Sequence, residues 1–222
     1  GTGSIKVTGG TNTQAVYGVK IANNGVVNCS NNNIGSISGI TLSTNSTNLY
    51  GIHLSGNFIG EIKNNTIGSE TTASSISASS PSNATNPQSV YGIFSSNNGT
   101  TNILENNIYN LYNAASTANT YLPSSVIGIY VDEGTNDING NIVRNLSISS
   151  TFTSAFTSDL MSASIGVYVN TDNDSQTIRK NEIYNISNEY NSFTGSVVGL
   201  FYKSSTGASP SSVNSNFIHS LS

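Results

Sequence analysis

A motif that returns six times constrains this chain more than any other feature: a short apolar run around a glycine, followed about 14 residues later by Asn-x-Ile/Val. The glycine runs are Val16-Tyr17-Gly18-Val19, Leu49-Tyr50-Gly51-Ile52, Val90-Tyr91-Gly92-Ile93, Val126-Ile127-Gly128-Ile129, Ser164-Ile165-Gly166-Val167 and Val197-Val198-Gly199-Leu200. Their asparagine partners are Asn32-Asn33-Ile34, Asn65-Thr66-Ile67, Asn106-Asn107-Ile108, Asn141-Ile142-Val143, Asn181-Glu182-Ile183 and Asn216-Phe217-Ile218. Successive glycines stand 33, 41, 36, 38 and 33 residues apart. Periods of this length signal a stacked array of one small unit rather than a single closed core.

The residues between these landmarks favour strands. Apolar positions come in short, β-branched runs, and Gly, Asn and Ser interrupt everything else. Aligned on the glycine, Val19, Ile52, Ile93, Ile129, Val167 and Leu200 form one column, and Tyr17, Tyr50, Tyr91, Ile127, Ile165 and Val198 form another two places earlier. Strict alternation along a strand predicts that both columns share the buried face. Aligned on the asparagine, Cys29, Ile62, Ile103, Ile138, Ile178 and Val213 stand three places before it, and Ile34, Ile67, Ile108, Val143, Ile183 and Ile218 two places after it.

Like residues recurring once per repeat are what a parallel β-helix requires, because each strand pairs with its counterpart about 4.8 Å away in the next coil. The sequence therefore predicts an all-β, right-handed parallel β-helix of about six coils, with its variable loops at one corner. The asparagine column belongs at a bend, where stacked amides bond from coil to coil and the left-handed backbone of a tight turn is tolerated. The longest insertions, 71–89 and the Ser/Thr-rich 147–163, fall at that variable corner. The whole chain, 1–222, is expected to be a single β-helix segment. Gly3-Ser4-Ile5 repeats the phase of Gly35-Ser36-Ile37, which suggests an excerpt from a longer array.

Composition narrows the function classes. Charged residues are only 8% of the chain, and Ser, Thr and Asn supply its polarity, a profile expected of an extracellular protein. A net charge of −4 with seven scattered Lys and Arg offers no basic patch, so nucleic acid is not an expected partner. No run of 18 apolar residues is present, so membrane insertion by this segment is not expected either. One cysteine, Cys29, cannot form an internal disulfide, and its place in an isoleucine column makes it a small buried hydrophobe.

On the six Tyr/Ile/Val-Gly-Ile/Val/Leu runs and the six asparagine motifs, such as Asn181-Glu182-Ile183-Tyr184-Asn185-Ile186, the chain resembles right-handed parallel β-helix repeat proteins. It is especially similar to the Asn/Ser/Thr-rich arrays of secreted surface proteins of Bacteroidota. That resemblance implies export, often by the type IX system, and attachment at the cell surface.

Two groups of residues are candidates for a site. Lys20, His53, Phe94, Tyr130, Tyr168 and Phe201 stand two places after the glycine, with parity opposite to the buried column. Phe94, Tyr130, Tyr168 and Phe201 would form an outward aromatic strip on which the apolar faces of sugar rings could stack, or else a second small core covered by the corner loops. The second group is acidic. Asp132 and Asp137 follow the fourth glycine run, and Asp172 and Asp174 the fifth. Adjacent coils could bring these oxygens together around Ca²⁺, the alternative being solvated turn residues. No catalytic residue is assigned and no cofactor is required. The reading that follows is a structural stalk or adhesin-type segment, with glycans or other surface and secretion components as partners. The alternative is a polysaccharide lyase or glycoside hydrolase, which would need paired carboxylates or a metal with a basic group.

Overall fold

A computed structural model of the chain describes residues 5–9, 14–42, 45–79, 87–114, 124–149, 163–171, 175–193, 196–204 and 210–222. Every regular element among them is a strand, and the strands pair in parallel, coil upon coil, into three sheets that make a parallel β-solenoid. The first sheet holds the glycine runs: Gln14–Asn23, Thr47–Gly56, Ser89–Asn97, Ser125–Val131, Ser164–Thr171 and Val197–Ser204. The second is Val26–Ser30, Ile59–Lys63, Thr100–Leu104, Thr135–Asn139, Gln176–Arg179 and Ser212–Asn214. The third runs from Ile5–Gly9 through Ile37–Thr41, Ile76–Ser79, Asn107–Asn113, Ile142–Ile148 and Glu182–Asn188 to Phe217–Leu221. Two short strands, Asn33–Ile34 and Thr66–Gly68, lie beside this path.

The columns read from the sequence are ladder partners. Ile103 pairs with Ile62 and Ile138, and Ile108 with Ile67 and Val143. Ile52, Ile62, Ile103, Ile108, Ile138 and Ile178 have no exposed surface. Burial of each contributes about 1.5–3 kcal/mol, and only the coils above and below provide it. Val213 and Ile218 belong to the same columns but are 47% and 40% exposed, because a neighbouring coil covers them on one side only.

One expectation about facing is overturned. The tyrosine column before the glycine does not share a face with the valine/isoleucine column after it. Val19, Ile52, Ile93, Ile129 and Val167 pack into the main core, whereas Tyr50, Tyr91, Ile127, Ile165 and Val198 belong to a separate apolar cluster on the outside of the first sheet. The glycine is the cause. Gly51 and Ile52 are both buried, so the alternation slips by one place there, and the ladder register passes over the glycine in every coil. A Cβ on Gly92 would lie 2.5 Å from the Gly128 carbonyl oxygen and 2.7 Å from Ile108 Cγ2. Only hydrogen fits where the strand turns its backbone inward.

The bend between the second and third sheets is made by a left-handed residue immediately before the asparagine: Asn31, Asn64, Glu105, Lys180 and Ser215 have φ between 54° and 58°, and Gly140 has 69°. The following asparagine turns into the core and closes the corner. Asn106 Oδ1 accepts the backbone N–H and Nδ2 of Asn65 at 3.0 and 2.9 Å, and Asn106 Nδ2 donates to Asn141 Oδ1 at 3.0 Å and to the Ile62 carbonyl at 2.8 Å. The same pattern repeats from Asn141 to Asn181 and from Asn181 to Asn216. Polar plugs close the other corners too. Asn97 bonds Phe58 and Thr101, and Gln88 donates to Asn113 Oδ1 at 3.0 Å.

The insertion expected over 71–89 is not all loop. Ile76–Ser79 forms a strand of the third sheet, with Ile76 paired to Ile37 and Leu111. Ile76 and Ala78 alternate with serines and supply the two inward contacts that the coil needs, so the Ser-rich composition concealed a strand.

Candidate functional site

The outer surface of the first sheet carries two adjacent ladders of rings. Parallel register places Phe94 opposite His53 and Tyr130, and Tyr168 opposite Tyr130 and Phe201. The rings stack on one another: His53 to Phe94 at 5.0 Å, Phe94 to Tyr130 at 4.8 Å, Tyr130 to Tyr168 at 5.0 Å and Tyr168 to Phe201 at 5.0 Å, with interplanar angles of 2–17°. Beside them Tyr17, Tyr50 and Tyr91 stack at 5.0 and 5.1 Å and meet the first ladder edge to face. The glycine slip puts the two ladders on one face, a neighbourhood that strict alternation hid from the sequence.

This arrangement determines what the strip can offer. Phe94, Tyr130 and Tyr168 have both ring faces covered by the rings one coil away, so there the strip presents edges outward and not the faces on which a pyranose stacks. Phe94, Tyr130 and Phe201 are half-buried, and Tyr168 is 5% exposed. Burial first, and then the negative charge of Asp132, push the phenols of Tyr130 and Tyr168 above their ordinary range, and burial does the same to Tyr91 and Tyr50. The hydroxyls therefore stay protonated and act as hydrogen-bonding groups only. Tyr130 donates to Asp132 Oδ1 at 3.2 Å.

His53 sits in the same ladder with Nδ1 buried and unpaired among the described residues. Its ring is held neutral by burial and by the nearby ammonium of Lys20, which itself lies 4.6 Å above the Tyr17 ring. His219 is on the third sheet, stacked on Tyr184 at 4.8 Å, so the two histidines share no centre.

Of the acidic candidates, Asp132 is engaged with Tyr130, while Asp137 receives Arg179 Nη2 at 3.0 Å. Asp172 and Asp174 lie outside the described residues. Among the described residues no three His, Cys, Asp or Glu side chains converge as a metal site.

A further outward column was missed by the sequence reading. Tyr109, Arg144, Tyr184 and His219 are successive ladder partners on the third sheet, each three places after the buried asparagine. The Arg144 guanidinium lies 4.5 Å from the Tyr109 ring and 5.8 Å from Tyr184, and its Nη2 meets Glu70 at 2.7 Å. Alignment on the asparagine would have exposed this column, but its mixture of Tyr, Arg and His hides a common role. Planar groups of different chemistry all stack.

Cys29 fills its isoleucine column, paired with Ile62, and burial raises its thiol above the ordinary value, with the Asn32 hydrogen bond opposing. Comparison of the chain with protein-family models, with curated proteins and with solved structures found no match.

Proposed function

We propose that this chain is a non-catalytic shaft, a stalk or adhesin-type segment of a secreted or surface protein. The observation that carries the reading is the interior asparagine ladder, in which every step from Asn32 to Asn216 is a pair of hydrogen bonds between coils. A continuous directional ladder on three parallel sheets makes each coil depend on its neighbours and yields a stiff rod. Scarce charge and a Ser/Thr/Asn-rich surface support export, and the likeness of the repeats to Bacteroidota surface arrays supports the type IX route.

The reading is tested on the purified segment and on cells that produce it. Incubation with a panel of polysaccharides, with Ca²⁺ and after EDTA, is expected to release no new reducing or unsaturated chain ends. Antibody against the segment is expected to label intact cells. Cleavage would make the chain an enzyme, and labelling only after lysis would remove it from the surface.

A further inference from the structure

Two asparagine columns run beside the third sheet, one with its amides saturated inside and one with its amides only partly bonded outside. In the interior column the amides of Asn65, Asn106, Asn141 and Asn181 are buried and bonded on both sides. Four places later stand Asn110, Asn145 and Asn185, brought opposite one another by the pairing of Leu111, Leu146 and Ile186. These point away from the core. Asn185 Nδ2 donates to Asn145 Oδ1 at 3.1 Å, which leaves Asn145 Nδ2 and Asn185 Oδ1 without a partner among the described residues. Asn110 Nδ2 is held by the Ser69 carbonyl at 2.7 Å.

The backbone by itself does not select asparagine here. All three have left-handed φ of 52–56°, but Ser36 and Ser220, at the same ladder position in other coils, adopt 57° and 54°. Amides occupy the column where it borders a groove of about 400 Å³. Ser147 and Ser187 also line this groove, and Tyr112 borders it in the preceding coil. Among the lining residues, Glu189 alone has a carboxylate and none is cationic, and the guanidinium of Arg144 outside the lining is engaged by Glu70 and Tyr109. An anionic polymer has no counter-charge in it.

A groove that repeats an amide about every 4.8 Å, one coil apart, suits a linear ligand with repeating groups that both donate and accept hydrogen bonds. Side-chain amides and serine hydroxyls match sugar hydroxyls in this respect. We infer that the Asn110–Asn145–Asn185 groove binds a neutral, hydroxyl-rich polysaccharide chain laid along the solenoid axis. The inference deepens the shaft reading, on which it rests, by making the side of the shaft its adhesive surface.

Affinity electrophoresis of the segment through gels containing dextran, xyloglucan, mixed-linkage β-glucan or polygalacturonate tests it. Retardation by at least one neutral polymer is expected. The double variant Asn145→Gly/Asn185→Gly removes both amides at positions whose left-handed backbone suits glycine. It should keep the urea midpoint within the range of ordinary surface variants and bind at least tenfold more weakly. Ser187→Trp, which fills the groove from its floor, should abolish retardation and serves as the second readout should the glycine variant misfold. Absence of retardation by every neutral polymer, retardation by polygalacturonate alone, or full binding in the folded double glycine or tryptophan variant would overturn the groove. Cleavage of a retarding polymer, read as new chain ends, would instead sink the shaft reading and leave the groove standing.

Discussion

The Nδ2 of Asn106 donates to the Oδ1 of Asn141, one coil further on, at 3.0 Å, and the backbone N–H of Asn106 donates to that same oxygen at 2.9 Å. One carbonyl oxygen thus satisfies two buried donors from the neighbouring coil. The backbone ladder continues on either side, from the Glu105 N–H to the Asn139 carbonyl and from the Asn107 N–H to the Asn65 carbonyl, and the side-chain amide takes the N–H between them.

Replacing Asn106 by alanine strands several buried groups at once: the N–H and Nδ2 of Asn65 lose their acceptor, and the Ile62 carbonyl loses a donor. A loss of about 3 kcal/mol or more is expected, since each buried unsatisfied group costs about 1–3 kcal/mol. Urea denaturation followed by circular dichroism measures it. A variant as stable as the parent would show that water replaces the ladder without penalty.

Gly92→Ala and Gly140→Ala should differ sharply. At Gly92 the new Cβ would strike the Gly128 carbonyl and Ile108, and neither can retreat from the ladder. At Gly140 the nearest atom is 3.5 Å away, and only the left-handed φ of 69° is strained, at about 1–2 kcal/mol. Thermal melts should show Gly92→Ala unfolded or severely destabilised and Gly140→Ala shifted only modestly.

Ile138→Asp should unfold the array, because Ile138 is fully buried between Ile103 and Ile178 and a lone carboxylate there has no partner. Tyr130→Ala should be milder, at about 2–4 kcal/mol, since the ring is half-buried yet stacked on both Phe94 and Tyr168. Paired urea titrations rank the two, and a cooperative, soluble Ile138→Asp protein would contradict the column alignment.

Stability should fall on acidification through His53. Folding lowers its pKa below the ordinary 6.5, by burial first and the Lys20 charge second. The unfolded chain therefore binds the proton more readily. The stabilising contribution is complete above the unfolded pKa and is lost as pH falls through the folded value. His53→Phe, which continues the Phe94 ring ladder, should remove this component of the pH dependence when denaturation midpoints at neutral and mildly acidic pH are compared.

Much of the interior was legible because each inward residue recurs once per repeat. The Ile62, Ile103, Ile138 column and the Asn65, Asn106, Asn141 column could be aligned without knowing any contact. The face of Tyr50 and Tyr91 was misread because alternation was carried across a glycine at which the strand slips by one. The strand Ile76–Ser79 was missed because serine fills its outward places, and a serine-rich segment reads as loop whenever its few inward residues are small in number. Of the candidate site residues, the strip was visible as a column, but that its rings cover one another's faces was not, since ring orientation depends on side-chain torsions that no periodicity encodes.

The sequence by itself determined that this chain is a stack of parallel coils with isoleucine inside and asparagine at one corner, because burial and amide pairing repeat with the period of the backbone. Only the tertiary structure decided which of two similar asparagine columns is closed and which is open. The difference lies in the direction of a side chain after a left-handed residue. Asn106 follows one and turns inward, to be saturated by its neighbours, whereas Asn145 is itself left-handed and turns out to solvent beside a groove.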